Sequence, residues 1–125
     1  MKIIGTKKAD VLVGSQFPSK DTIRGKAGDD IIISNGGTDK LFGGKGDDTF
    51  IFRLSDGTDT PNAASQIRDF RAGHDTVVII ANEPTSAPVY DDISGVVSVQ
   101  AGLAEPLFIV KLPAFMGSGH DILVT

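Results

Sequence analysis

The sequence predicts an all-β chain: a parallel β-roll of two short parallel sheets, followed by a C-terminal β-sandwich-like cap. Three observations carry that expectation. Glycine is concentrated locally, with eight of the chain's 15 glycines between Gly25 and Gly57. A nine-residue period runs through the N-terminal part of the chain. An acidic column and an apolar column keep step with that period.

Residues 43–51, Gly-Gly-Lys-Gly-Asp-Asp-Thr-Phe-Ile, fit the nonapeptide G-G-x-G-x-D-x-U-x without a mismatch, U being a large apolar residue. The unit before it, residues 34–42, keeps Gly37, Asp39 and Leu41. Residues 25–33 keep Gly25, Gly28, Asp30 and Ile32. The unit ending at Arg24 keeps Asp21 and Ile23, but has Ser19 in place of a glycine and a longer turn containing Pro18. Residues 5–13 form a degenerate first unit with Gly5, Asp10 and Leu12.

One column is therefore Asp10, Asp21, Asp30, Asp39 and Asp48. The other, two residues later each time, is Leu12, Ile23, Ile32, Leu41 and Phe50. Glycine supplies the left-handed backbone of a tight turn. The last three residues of each unit make a short strand whose middle side chain points inward. Successive strands fall alternately into two sheets, with the apolar column between them and the aspartates stacked along two edges.

Stacked carboxylates repel, so this arrangement requires a counter-charge. Ca²⁺ takes 6–8 oxygen ligands from carboxylates and carbonyls in flexible geometry and fits a turn of this kind. Turns on one edge recur every 18 residues in the regular part of the repeat, so each ion bridges alternate units. The expected pairs are Asp30 with Asp48 and Asp21 with Asp39, with Asp10 and Asp30 a weaker third. The accompanying ligands are the turn residues Gly25, Ala27, Gly28, Gly36, Gly37, Gly43, Lys45 and Gly46. Asp56 and Asp59 either complete a last site opposite Asp39 or only make turns. A flexible glycine linker would not hold the apolar column in register with the aspartates. An EF-hand loop, with its glutamate at the twelfth position, is absent.

Composition narrows the function classes. The 125 residues amount to one domain, residues 1–125, with roll repeats over about 3–52 and a capping β region over 53–125. There is no cysteine, hence no disulfide framework and no thiolate metal site. A net charge of −4 disfavours a nucleic-acid partner. No apolar run approaches the ~20 residues of a membrane-spanning helix, and the first residues lack the apolar stretch of a cleavable signal. His74 and His120 each stand as Gly-His-Asp before an apolar strand, without H-E-x-x-H spacing. They read as turn histidines. No G-x-S-x-G elbow is present, and no enzymatic activity is expected.

Residues 3–80 resemble the repeats-in-toxin (RTX) modules of bacterial exoproteins. The opening Ile4-Gly5-Thr6 through Asp10-Val11-Leu12-Val13-Gly14 looks like a usual first repeat, and Asp48-Thr49-Phe50-Ile51-Phe52 like a usual last one. Ile67-Arg68-Asp69-Phe70, followed by Gly73-His74-Asp75-Thr76-Val77, is similar to the capping segment of serralysin-type C-terminal domains and to the R-modules of mannuronan C5-epimerases. Phe108–Leu112 and Asp121–Val124 resemble the closing strands of such domains. The resemblance implies calcium, a secreted bacterial protein and a type I secretion apparatus as partner. It also implies that Asp69 and Asp75, which flank a turn, either bind a further ion or hydrogen-bond the turn backbone.

Past Phe52 the repeat pattern stops. Residues 53–66 read as a loop, and 76–80, 94–100, 107–112 and 121–125 as strands. Two outer faces follow from the alternation. One carries Thr22, Arg24, Lys40 and Phe42, with Lys20, Lys26 and Lys45 in neighbouring turns. This basic patch suits an acidic polysaccharide such as alginate, or is an ordinary solvated face. Lys20, Arg24, Lys40 and Phe42 are its candidate residues. The other face carries Val11, Val13, Ile31, Ile33, Thr49 and Ile51, and the strands after residue 76 are expected to cover it.

Overall fold

A computed structural model describes residues 2–14, 20–34, 39–53, 65–70, 74–80, 89–91, 96–99, 107–111 and 122–124. In chain order the described strands are β1 (Lys2–Ile4), β2 (Val11–Val13), β3 (Thr22–Arg24), β4 (Ile31–Ser34), β5 (Lys40–Phe42) and β6 (Thr49–Arg53). They continue as β7 (Ser65–Ile67), β8 (Thr76–Ile80), β9 (Val89–Asp91), β10 (Val96–Val99), β11 (Leu107–Lys111) and β12 (Ile122–Val124).

The repeat strands alternate between two sheets. One sheet runs β1-β3-β5-β7-β11-β10-β9 and the other β12-β8-β6-β4-β2. All pairings from β1 to β8 are parallel. Register follows the period: Ile3 aligns with Ile23, Ile23 with Leu41 and Leu41 with Ile67 in one sheet. In the other, Leu12 aligns with Ile32, Ile32 with Phe50 and Phe50 with Val77.

These middle positions are the core. Ile23, Ile32, Leu41, Phe50 and Val77 are fully buried, and Phe52, Ile67, Phe70 and Ile79 join them. Ile3 and Leu12, in the first strand of each sheet, are only partly buried. Each fully buried side chain of this size contributes about 1.5–3 kcal/mol relative to exposure. Phe70 closes the core from beyond the repeats, its ring 6.4 Å from that of Phe50.

Two expectations are corrected. The roll does not end at Phe52, because β7 and β8 take the next parallel positions in the two sheets. Ser65 and Gln66, read from sequence as loop, belong to β7. The later strands also add edge to edge: β12 pairs with β8, and β11 pairs with β7 and then, antiparallel, with β10. A strand edge carries unpaired N–H and C=O groups that in-plane pairing can satisfy, and these strands lengthen the sheets. Val11 stays 64% exposed and Val13 47%.

On the seven-stranded sheet, Lys2, Thr22, Lys40 and Gln66 form one outer row by register, and Ile4, Arg24 and Phe42 a second. The Arg24 guanidinium stacks over the Phe42 ring at 4.1 Å, a cation–π contact. Arg68 extends the second row and donates to Gln66 Oε1 at 2.8 Å.

Candidate metal centre

The turns that end in the acidic column nest directly on one another. Lys45 N–H donates to the Lys26 carbonyl at 2.8 Å. A Cβ on Gly28 would lie 2.6 Å from the Lys8 carbonyl carbon, and one on Gly44 would overlap the Lys26 carbonyl oxygen. Gly28, Gly44 and Gly46 all have positive φ, at 90°, 81° and 103°. Lys26 occupies the equivalent of Gly44 in its own turn and adopts φ 72°.

Stacking brings the aspartates of alternate units together. On one edge Asp10 N–H donates to Asp30 Oδ1 at 2.9 Å, Asp30 N–H to Asp48 Oδ1 at 2.9 Å, and Asp48 N–H to Asp75 Oδ1 at 3.0 Å. On the other edge Asp21 N–H donates to Asp39 Oδ1 at 3.0 Å and Asp39 N–H to Ser65 Oγ at 2.9 Å. The aspartate carbonyls run the opposite way, accepting from Ile31, Thr49 and Thr76 on the first edge and from Lys40 and Gln66 on the second. The sequence pairs Asp30–Asp48, Asp21–Asp39 and Asp10–Asp30 are all neighbours in space.

The second carboxylate oxygens differ. Asp30 Oδ2 and Asp48 Oδ2 are buried without any hydrogen-bond partner. Asp39 Oδ2 accepts from Ser34 Oγ at 2.8 Å. Asp10, half-buried at the open end of the roll, accepts from Thr6 N–H at 2.6 Å and from Thr6 Oγ1. A Cβ on Gly25 would fall between Asp30 Oδ2 and the Gly43 carbonyl oxygen, and one on Gly5 between Asp10 Oδ2 and the Gly25 carbonyl oxygen. Gly5 and Gly25 thus each leave a carboxylate oxygen and the next turn's carbonyl facing the same small space.

Electrostatics agrees with geometry. Burial pushes the Asp48 carboxyl up to about 7, with Asp75, Asp30 and Asp69 adding repulsion. Burial also raises Asp30 and Asp39, against the lowering effect of the backbone N–H each accepts. An orphaned carboxylate oxygen in such a place costs several kcal/mol unless a proton or cation meets it. Among the described residues no three acidic or histidine side chains converge. The donor set is one carboxylate per turn together with backbone carbonyls. Hard oxygen donors of that kind fit Ca²⁺.

Gly36, Gly37, Asp56 and Asp59 lie outside the described residues. Asp75 is the residue that sequence reasoning placed least well. It stands in the column after Asp48 and two residues before the buried Val77, the same spacing as Asp48 to Phe50. Asp69 accepts the N–H groups of Gly43 and Gly44, each at 2.9 Å. His74 is exposed, with Nδ1 3.2 Å from Asp47 Oδ1.

Nested glycine turns over an alternating parallel core make this a calcium-binding β-roll. Residues 18–50 match the family model of the RTX calcium-binding nonapeptide repeat in four copies. RTX repeats bind Ca²⁺, so the chain carries an RTX β-roll with Ca²⁺ as its cofactor. The chain is similar to the AlgE6R3 subunit of the Azotobacter vinelandii mannuronan C5-epimerase, known from a solution structure. Identity is 25% and the TM-score 0.54, over 94% of this chain and 79% of that one. No curated protein matches the chain.

Proposed function

We propose that this chain is a non-catalytic module that folds on binding extracellular Ca²⁺ and so supports secretion and stability of a bacterial exoprotein. The buried, unpartnered Oδ2 atoms of Asp30 and Asp48 carry the reading. In this reading residues 1–125 are one domain. The ligands are the carboxylates of Asp10, Asp21, Asp30, Asp39 and Asp48 with carbonyls of the turns 25–28, 36–37 and 43–46, and Asp75 extends the first edge. Bound Ca²⁺ supplies positive charge and replaces the missing hydrogen bonds of the stacked carboxylates. In a calcium-poor cytosol the stack disfavours folding, which suits passage through a type I secretion channel. Outside the cell, folding prevents return. Among the described residues no helix is long and apolar enough to cross a membrane. Circular dichroism with and without millimolar Ca²⁺ tests the reading: a β-sheet signal should appear with the ion, and spectra unchanged by it would reject the proposal.

A second reading is favoured by the outer rows of the seven-stranded sheet. Lys2, Arg24, Lys40 and Arg68 are all exposed there, and across β1, β3, β5 and β7 the rows contain no acidic residue. Such a face suits an acidic polysaccharide, and the similar solved structure comes from a mannuronan C5-epimerase. Titration with alginate oligomers tests it.

A further inference from the structure

The two edges of the roll end differently. On the first edge, the units 25–33 and 43–51 both open on glycine. A Cβ on Gly25 or Gly43 would run into the Oδ2 of its own turn's aspartate, Asp30 or Asp48. Glycine keeps the space beside each of those oxygens open, and both oxygens are buried without a hydrogen-bond partner. This edge carries on past Asp48, whose N–H donates to Asp75 Oδ1. Asp75 and Asp69 both stand near enough to Asp48 to add repulsion, so negative charge gathers where its buried oxygen lies.

On the second edge, the unit 34–42 opens on Ser34 instead. Ser34 is buried, and its hydroxyl donates to Asp39 Oδ2 at 2.8 Å. The oxygen equivalent to the two orphans of the first edge is thus met by the protein's own side chain. Asp39 Oδ1 accepts the Asp21 N–H at 3.0 Å, so both oxygens of this buried carboxylate have a donor. One level further on, the register aligns Phe52 with Ser34, and Phe52 is a core side chain. The column position after Asp39 belongs to Ser65, whose Oγ accepts the Asp39 N–H at 2.9 Å. That column position supplies a neutral hydroxyl where the first edge supplies the Asp75 carboxylate, and lacks the charge that draws Ca²⁺.

We propose that the ladder of ions is one-sided at its C-terminal end: it runs past Asp48 towards Asp75 on the first edge and stops at Asp39 on the second, where the Ser34 hydroxyl takes the cation's place. This rests on the calcium reading above and adds which turns the ions reach. Asp10 Oδ2 and Asp30 Oδ2 each face the turn that follows them. By the same geometry Ser34 closes the position after Asp39, and the pairing of Asp21 with Asp39 before it stays. Ser34 is then the residue that decides, by one hydroxyl, whether this position takes metal.

The experiment counts and places ions. Native mass spectrometry of the full chain in Ca²⁺ gives the number bound, thermal melts in saturating Ca²⁺ give stability, and a crystal structure of the calcium-loaded chain gives position. The crystal structure should show an ion on Asp48 Oδ2, and on Asp39 Oδ2 the Ser34 hydroxyl with no ion. Ser34→Ala should keep the ion count and lower the melting midpoint by about 4 °C or more, because a buried carboxylate oxygen loses its donor. Recruitment of one further ion by Ser34→Ala would also support the proposal, the cation then replacing the lost hydroxyl. Asp48→Asn should bind one ion fewer. An ion on Asp39 Oδ2, or an ion lost with Ser34→Ala, would overturn the proposal. So would a Ser34→Ala chain with both count and midpoint unchanged, or an Asp48→Asn chain that keeps every ion. If Asp48→Asn does not fold, the ion positions in the unaltered chain still decide between the edges. An unaltered chain that binds no Ca²⁺ would overturn the calcium reading itself, and this proposal with it.

Discussion

Asp48 accepts the backbone N–H of Asp30 through Oδ1 at 2.9 Å, while its Oδ2 stays buried and unpartnered. One oxygen fixes the stacking of two turns and the other is left to a cation. That division of labour sets the expectations below.

Cation choice follows from the donor set. Carbonyls and single carboxylates on flexible turns suit the loose shell of Ca²⁺, whereas Mg²⁺ demands a tight octahedron and keeps its water. Ca²⁺ should fold the chain with a midpoint around 10⁻⁴–10⁻³ M, the range of extracellular modules. Mg²⁺ should not. Parallel dichroism titrations check this, and equal folding by Mg²⁺ would contradict the assigned ligands.

Asp30→Ala should damage folding more than Asp10→Ala. Asp30 Oδ1 holds the Asp10 N–H and its Oδ2 faces the next turn, so its loss orphans a part-buried donor at a cost of about 1–3 kcal/mol. The Asp10 carboxylate bonds the exposed Thr6, and losing it should cost about 0.5–1.5 kcal/mol. The comparison is of the two Ca²⁺ midpoints. A larger shift for Asp10→Ala would show that the first unit is misregistered.

Metal-free chain should gain structure as pH falls. Asp48 has a folded pKa of about 7 against an ordinary 3.8, so the folded state binds the proton more tightly than the unfolded one. Stability from this group is full below about pH 4, is lost as pH rises towards 7, and stays lost above. Asp30 and Asp39 shift in the same direction. Dichroism in chelator should therefore report more sheet at pH 5 than at pH 8. The Ca²⁺ midpoint should rise on going from pH 8 to pH 6, because binding then displaces a proton.

Lys26→Gly should stabilise the calcium-loaded chain. Lys26 sits at φ 72°, a conformation that costs a side-chain-bearing residue about 1–2 kcal/mol. The entropy of an added glycine offsets part of that. Gly44→Ala should act in the opposite sense and more strongly, since its Cβ would overlap the Lys26 carbonyl. Thermal melts in saturating Ca²⁺ order the three proteins.

A fragment ending at residue 60 should fold poorly even in calcium. It lacks Ile67, Phe70, Val77 and Ile79 of the core, worth about 1.5–3 kcal/mol each before entropy. It also lacks Ser65 and Asp75, which accept the buried N–H groups of Asp39 and Asp48. A folded, soluble monomer of this fragment in millimolar Ca²⁺ would contradict the dependence.

The nine-residue period made the columns from Asp10 to Asp48 and from Leu12 to Phe50 legible, together with their pairings, because each repeat is one strand and one turn. The continuation into β7 and β8 was hidden because the step from Phe50 to Ile67 is far longer than nine. What survived was the two-residue spacing from Ser65 to Ile67 and from Asp75 to Val77. Serine in place of aspartate disguised the first of these. The direction in which later strands join was not legible at all. Residue pattern tells which side chains are apolar, whereas open strand edges decide where a new strand goes.

Alternation of successive strands between the two sheets gives the chain a parity. Inserting one nonapeptide ahead of β7 would send every following strand to the opposite wall. Ser65 would then arrive beneath Asp48, and Asp75 beneath the inserted unit on the wall of Asp39. Inserting two would lengthen the roll by one whole coil and return each downstream residue to its own wall. Growth or shrinkage by tandem duplication is thus tolerable in even steps and disruptive in odd ones, so the heritable unit of this architecture is eighteen residues, although the pattern visible to the eye is nine.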